Sequence, residues 1–126
     1  MVGQFVQDAL ERTGEFIVKT ETDPFAALDT ARAFRPDVLF IDINMPGRDG
    51  LAVARQIRQE PWLRHRPIIF FSGMSEKAEA ALKAAGDGPT EFLQKGVPLS
   101  VIVETVQRVA SERLQLYKAF RTAVVH

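Results

Sequence analysis

Val38-Leu39-Phe40-Ile41-Asp42-Ile43-Asn44-Met45-Pro46-Gly47-Arg48-Asp49-Gly50 is the stretch on which the reading of this chain turns. Four consecutive apolar residues show no alternation, as expected of a strand buried on both faces of a parallel sheet, and the run stops at a carboxylate, Asp42. In front of it Arg35-Pro36 ends a helical pattern, because the residue before a proline is pushed out of the α region. Behind it Pro46 and Gly47 make a polar turn. Leu51, Val53, Ala54 and Ile57 then recur at helical spacing until Glu60-Pro61, with Asp49 read as the cap of that helix.

Working outward, Pro67 to Phe71 is a second strand of the buried type, ending at Ser72-Gly73. Glu91 to Gln94 is a short strand ending at Lys95. Between them Ser75 caps a helix through about Ala85, and Gly86 to Pro89 is a loop by composition. On the amino-terminal side, Val2 to Leu10 is a short amphipathic helix stopped at Thr13-Gly14. Glu15 to Thr20 is a strand with Phe16 and Val18 on one face, and Asp23-Pro24 caps a helix from about Pro24 to Phe34 that uses Phe25, Ala26, Leu28 and Ala31. From Pro98 or Ser100 a last helix runs through Ile102, Val103, Val106, Val109 and Ala110, and Leu114, Leu116 and Phe120 prolong it. Residues 110–126 are therefore expected as a C-terminal helical extension of a single domain spanning 1–126.

Composition narrows the function classes. A chain of 126 residues suits one compact domain. Lys plus Arg and Asp plus Glu both number 16, so no bulk charge draws the chain to nucleic acid or acidic lipid. The absence of cysteine removes disulfides, thiolate metal sites and a cysteine nucleophile. The apolar runs are too short to span a bilayer. The expectation is a soluble cytoplasmic protein that binds neither nucleic acid nor membrane directly.

Alternating helices and short apolar strands argue for a doubly wound parallel α/β sheet, whose ligands sit outside the carboxyl ends of the strands. Three strand ends deliver Asp42, Ser72 and Lys95 there: a carboxylate, a hydroxyl and an ammonium. A carboxylate so placed can attack an activated phosphoryl group, provided a cation offsets the crowded charge and a hydroxyl donates to a phosphoryl oxygen. Taken singly, each residue has a plainer reading: a loop cap, turn chemistry and a solvated surface charge. His65 and His126 are isolated and read as structural or solvent-facing, and Trp62 as covering an edge of the core. No base with an oriented partner marks an enzyme acting on a separate substrate.

The run from Val38 to Gly50 resembles the central motif of the receiver domain of two-component response regulators, the CheY-like family, whose Asp in that run accepts a phosphoryl group. Ser72 follows Asp42 by 30 positions (72 − 42), the family's usual interval to its signature Ser or Thr. Phe92-Leu93-Gln94-Lys95 resembles the family's aromatic-x-x-Lys ending, and the likeness extends from about Val2 to Val109. It implies a flavodoxin-like receiver fold, phosphorylation of Asp42 by a histidine kinase or phosphotransfer protein, Ser72 as the mobile hydroxyl, Lys95 as ion partner and Phe92 as switch aromatic. It also implies Mg²⁺ held by Asp42 and the backbone carbonyl of Asn44, and a downstream protein partner on the surface of the family's fourth helix, fifth strand and fifth helix. Enzymatic action would be limited to phosphoryl transfer to Asp42 and hydrolysis from it.

The sequence departs from that family at its start. The family opens with a strand ending in an acidic pair that helps hold Mg²⁺, and no counterpart is found in front of the first helix. That strand is central in the family's sheet, so its loss would leave a gap between Glu15 to Thr20 and Val38 to Ile41. Truncation is the first explanation. A gap closed by another segment or subunit is the second, with strand-like Thr122 to Val125 as a candidate, although a helical or disordered end is the commoner fate of a terminus. A degenerate receiver, acting without phosphorylation as an interaction or dimerisation module, is the third and the main alternative function. Lys95 is followed by Gly96 where the family usually has Pro, and Ser72 to Lys95 spans 23 positions (95 − 72), one more than expected. Apolar residues late in the chain leave a homodimer open.

Overall fold

The computed structural model describes residues 2–43, 50–73, 79–80, 88–113 and 120–125. Its elements in chain order are α1 (Val2–Arg12), β1 (Phe16–Glu21), α2 (Ala27–Phe34), β2 (Val38–Asp42), α3 (Gly50–Arg58), β3 (Ile68–Ser72), β4 (Thr90–Gln94), α4 (Leu99–Arg113) and β5 (Phe120–Val125). All strand pairs are parallel, in the order β1-β5-β2-β3-β4.

The unalternating strands are buried on both faces, as their composition predicts. Val38 and Phe40 of β2 turn toward a core built with α1 and α4, around Val6, Leu10, Val106 and Ala110. Leu39 and Ile41 turn to the opposite core, built with α2 and α3 around Ala27, Ala31, Val53 and Ile57. This period-2 split lets one apolar run serve two layers.

The last helix is described as far as Arg113, and residues 120–125 form a strand instead of a helical extension. β5 lies between β1 and β2, where the sequence left a gap, in register with β1 from Phe16↔Phe120 to Glu21↔Val125 and with β2 from Val38↔Thr122 to Ile41↔Val125. The physical reason is the gap itself. Two strand edges stripped of partners would leave their N–H and C=O groups unpaired in the core, and a segment rich in β-branched residues satisfies both at once. Thr122, Ala123, Val124 and Val125 are all buried. A polar clamp sets the register at the amino end of β5: Asp37, itself buried, accepts a hydrogen bond from the Arg121 amide at 2.9 Å, while its own amide donates to the Arg121 carbonyl.

The fit has one flaw. The Thr122 hydroxyl is buried with no hydrogen-bond partner among the described residues. A buried hydroxyl without a partner costs about 1–3 kcal/mol, so Thr122→Val is expected to stabilise the fold by about 1 kcal/mol and raise the melting temperature by about 4 °C. Thermal melting by circular dichroism checks this; a lower midpoint would show that the hydroxyl has a partner.

Three expectations need correction. The helix read from Pro24 begins at Ala27: Asp23 caps a turn, its side chain accepting from the Phe25 amide at 2.9 Å and its carbonyl from Ala26. Phe25, read as part of the helical face, is 67% exposed. Trp62 does not cover the core but lies 42% exposed, with the Arg35 guanidinium 3.9 Å above its ring. The helix capped by Ser75 falls outside the described residues except at Glu79 and Ala80, as do Asn44, Asp49 and His126, while His65 is exposed as expected. At the end of α3, Arg58 stitches the loops before β3 and β4 together by donating to the carbonyls of Arg64, Arg66 and Pro89.

Candidate functional site

The carboxyl ends of β2, β3 and β4 bring Asp42, Ser72 and Lys95 to one edge of the sheet. Lys95 Nζ lies 2.9 Å from Asp42 Oδ1, with the two side chains 34% and 17% exposed, so the ion pair is partly shielded and stronger than a surface pair. The Lys95 ammonium also sits 5.8 Å from the centre of the Phe71 ring, within cation–π range. Ser72 is fully buried, and its carbonyl accepts from the Lys95 amide at 2.7 Å, which ties the ends of β3 and β4 together.

Gly96 explains how the chain leaves this site. It is the third residue of a turn closed by the Val97 amide on the Gln94 carbonyl, and its φ of 103° is open to glycine and closed to proline. The departure from the family's Lys-Pro is therefore a different exit path, and Lys95 still reaches Asp42. Phe92, one residue before buried Leu93, stacks on Phe70 at 5.2 Å and is only partly buried.

Two site features escaped the sequence reading. Gly50, the first residue of α3, presses against the end of β2: a Cβ there would lie 2.5 Å from the Asp42 carbonyl oxygen and 2.8 Å from Ile41 Cγ2. Its amide donates to the Ile43 carbonyl at 2.8 Å. Its signal was present, a glycine at a helix start directly after the acidic turn. Gln94, next to Lys95, donates to the carboxylate of buried Glu79 at 2.6 Å and so links β4 to the segment after Ser72; no pattern in the sequence pairs those two.

Asp42 offers the hard oxygen that Mg²⁺ prefers, and such ions are commonly held by one or two carboxylates completed by phosphate oxygens and water. Among the described residues no three His, Cys, Asp or Glu side chains converge.

Residues 1–107 match the family described as the response regulator receiver domain. The chain belongs to that family. Receivers are the phosphoacceptor signalling modules of two-component systems, working with histidine kinases and downstream partners. This receiver is 30% identical over 109 residues to the transcriptional regulatory protein CseB of Streptomyces coelicolor, covering 86% of this chain and 44% of CseB. It is 29% identical over 101 residues to the polar-differentiation response regulator DivK of Brucella anthropi, covering 80% of each. Among solved structures it resembles the chemotaxis protein CheY4 of Vibrio cholerae, with a TM-score of 0.75, 29% identity, and coverage of 86% of this chain and 88% of that one. The fold also matches the receiver domain of sensor histidine kinase PA1611 from Pseudomonas aeruginosa, which holds a magnesium ion in its active-site cleft, with a TM-score of 0.70, 24% identity, and coverage of 87% and 89%. The chain spans less than half the length of several curated relatives, 44% of CseB among them. The family model's range, residues 1–107, stops before β5, an interior strand of the sheet. No described helix is long and apolar enough to cross a membrane.

Proposed function

We propose that Asp42 is the phosphoacceptor of this receiver, and the observation that carries the reading is the Lys95–Asp42 ion pair at the ends of β4 and β2. An Asp42 oxygen attacks the phosphorus of a phosphohistidine on a kinase or phosphotransfer protein. The P–N bond breaks, its electron pair leaves with the imidazole, and an acyl phosphate remains on Asp42. Lys95 offsets the charge that gathers on the phosphoryl oxygens, and the Ser72 hydroxyl turns to donate to one of them. Asp42, together with the backbone carbonyl of Asn44, would hold Mg²⁺, which would supply further positive charge there. Phe92, half-buried and stacked on Phe70, changes its packing as Ser72 moves and presents that change to a downstream protein on the face of β4 and its flanking helices. We place the whole chain, 1–126, in one cytoplasmic receiver unit with no catalysis beyond its own phosphorylation and dephosphorylation.

The alternative reading is a phosphorylation-independent interaction module. Intact-mass measurement after incubation with a small phosphodonor, with and without Mg²⁺, separates the two. The expected result is a single phosphoryl adduct on the wild type that forms faster with Mg²⁺ and is absent from Asp42→Asn. An adduct on Asp42→Asn would move the acceptor elsewhere, and no adduct on a folded wild type would favour the interaction module.

A further inference from the structure

At the amino end of the sheet, opposite the edge that carries Asp42, three segments meet: the end of α2, the connection from α3 to β3, and the start of β5. They bring together Arg32, Arg35, Arg64, Arg66 and Arg121. The contacts that join them are direct. Arg32 pairs with Glu60, Arg66 lies 3.9 Å from Asp37, and Arg121 donates to the Phe34 carbonyl at 2.9 Å. Next to Phe34, the Arg35 guanidinium sits 3.9 Å above the Trp62 ring. Among the described residues, the carboxylates that these arginines meet are Asp29, Glu60 and Asp37, which is buried and accepts from the Arg121 amide. The chain as a whole is neutral, so the positive surplus is local.

The guanidiniums of Arg35, Arg64 and Arg121 pair with no carboxylate among the described residues, and all three residues are exposed. Arg35 also holds a left-handed backbone, with φ of 56°, at the end of α2, a place where glycine is the unstrained choice. A side chain kept in spite of that strain, and laid over an exposed tryptophan, points to a use at the surface. Tryptophan and arginine dominate the binding energy of protein interfaces, and a guanidinium grips a carboxylate with two parallel hydrogen bonds. A phosphate chain fits less well, because it carries a charge at every nucleotide, and Glu60 and the 83%-exposed Asp29 stand among the arginines. A peptide can space its carboxylates. We propose that this surface docks an acidic segment of a partner protein, with carboxylates on Arg35, Arg64 and Arg121 and an apolar side chain against Trp62. The proposal is independent of any role for Asp42.

Trp62 is the chain's single tryptophan, so its fluorescence reports on the surface directly. The full chain is titrated with a short tryptophan-free peptide in which glutamates alternate with leucines, with the same peptide carrying glutamine for glutamate, and with oligothymidylate of matched charge. The expected result is a saturable change with the glutamate peptide only, weakened by added salt. Arg35→Gln/Arg64→Gln is expected to weaken that binding by about tenfold or more, and Arg12→Gln, at the exposed end of α1, to leave it unchanged. Circular dichroism checks that each variant is folded. Arg64→Glu, which alters one exposed side chain and spares the end of α2, repeats the test and is expected to weaken binding several-fold. A wild type that does not respond to the glutamate peptide would overturn the proposal. So would an equal response to the glutamine peptide or to oligothymidylate, or an affinity that survives both arginine variants.

Discussion

Val124→Asp is expected to unfold the domain or lower its melting midpoint by about 15 °C or more. Val124 is fully buried, is in register with both Thr20 and Phe40, and packs in the core shared with α1 and α4. A carboxylate there must either carry an unpaired charge into an apolar core or expel β5 and open two ladders. Either route costs at least about 4 kcal/mol, a large share of the 5–15 kcal/mol that stabilises a typical domain. Phe5→Asp is the control, because Phe5 is 60% exposed on α1 and its replacement is expected to change stability by no more than about 0.5 kcal/mol. Thermal and urea unfolding of both variants check the difference; equal midpoints would mean that residues 120–125 are not in the sheet.

The second large effect is at Gly50. Replacing glycine by alanine in a helix ordinarily stabilises by up to about 1 kcal/mol, so propensity alone predicts a gain. Close approach reverses the sign. The new methyl would meet the Asp42 carbonyl oxygen at 2.5 Å and Ile43 Cα at 2.9 Å, both on the backbone of the segment that carries the acceptor carboxylate. Backbone cannot swing aside as a side-chain end can. Gly50→Ala is therefore expected to lose about 2–3 kcal/mol of stability, as overpacking does. It is also expected to slow phosphoryl incorporation at Asp42 by about tenfold or more, because moving the end of β2 misplaces the carboxylate. Thermal melting and a timed mass measurement with a small phosphodonor read the two effects separately. A stabilised variant phosphorylated at the wild-type rate would show that α3 can slide away from β2 without disturbing the site.

The phosphodonor experiment and these two variants bear on different links of the chain of cause. Val124 tests whether the sheet is complete, Gly50 whether its completed edge is held in place, and Asp42→Asn whether that edge carries the chemistry. A domain that loses Val124 should lose phosphorylation along with its fold, whereas Asp42→Asn should keep the fold and lose only the adduct.

What the sequence by itself determined was local or strongly patterned. The apolar runs of β2 and β3, with no alternation, mark strands buried on both faces, and the structure places both there. Asp42, Ser72 and Lys95 could be placed at strand ends because each directly follows or closes such a run, and the family resemblance added their relation to one another. The tertiary structure decided what depends on segments far apart in the chain. Whether Phe120 to Val125 forms a helix, a loose end or a strand is not settled by its own propensities; the open slot between β1 and β2 decides it, by offering unpaired backbone and two apolar walls at once. Phe25 and Trp62 were misplaced for a related reason. A large apolar side chain reads as core in a local pattern, but only packing reveals that an Asx turn at Asp23 holds Phe25 outside and that Arg35 covers Trp62 at the surface. The Gly50 approach and the Gln94–Glu79 link are likewise distances between elements, and periodicity within one element carries no information about them.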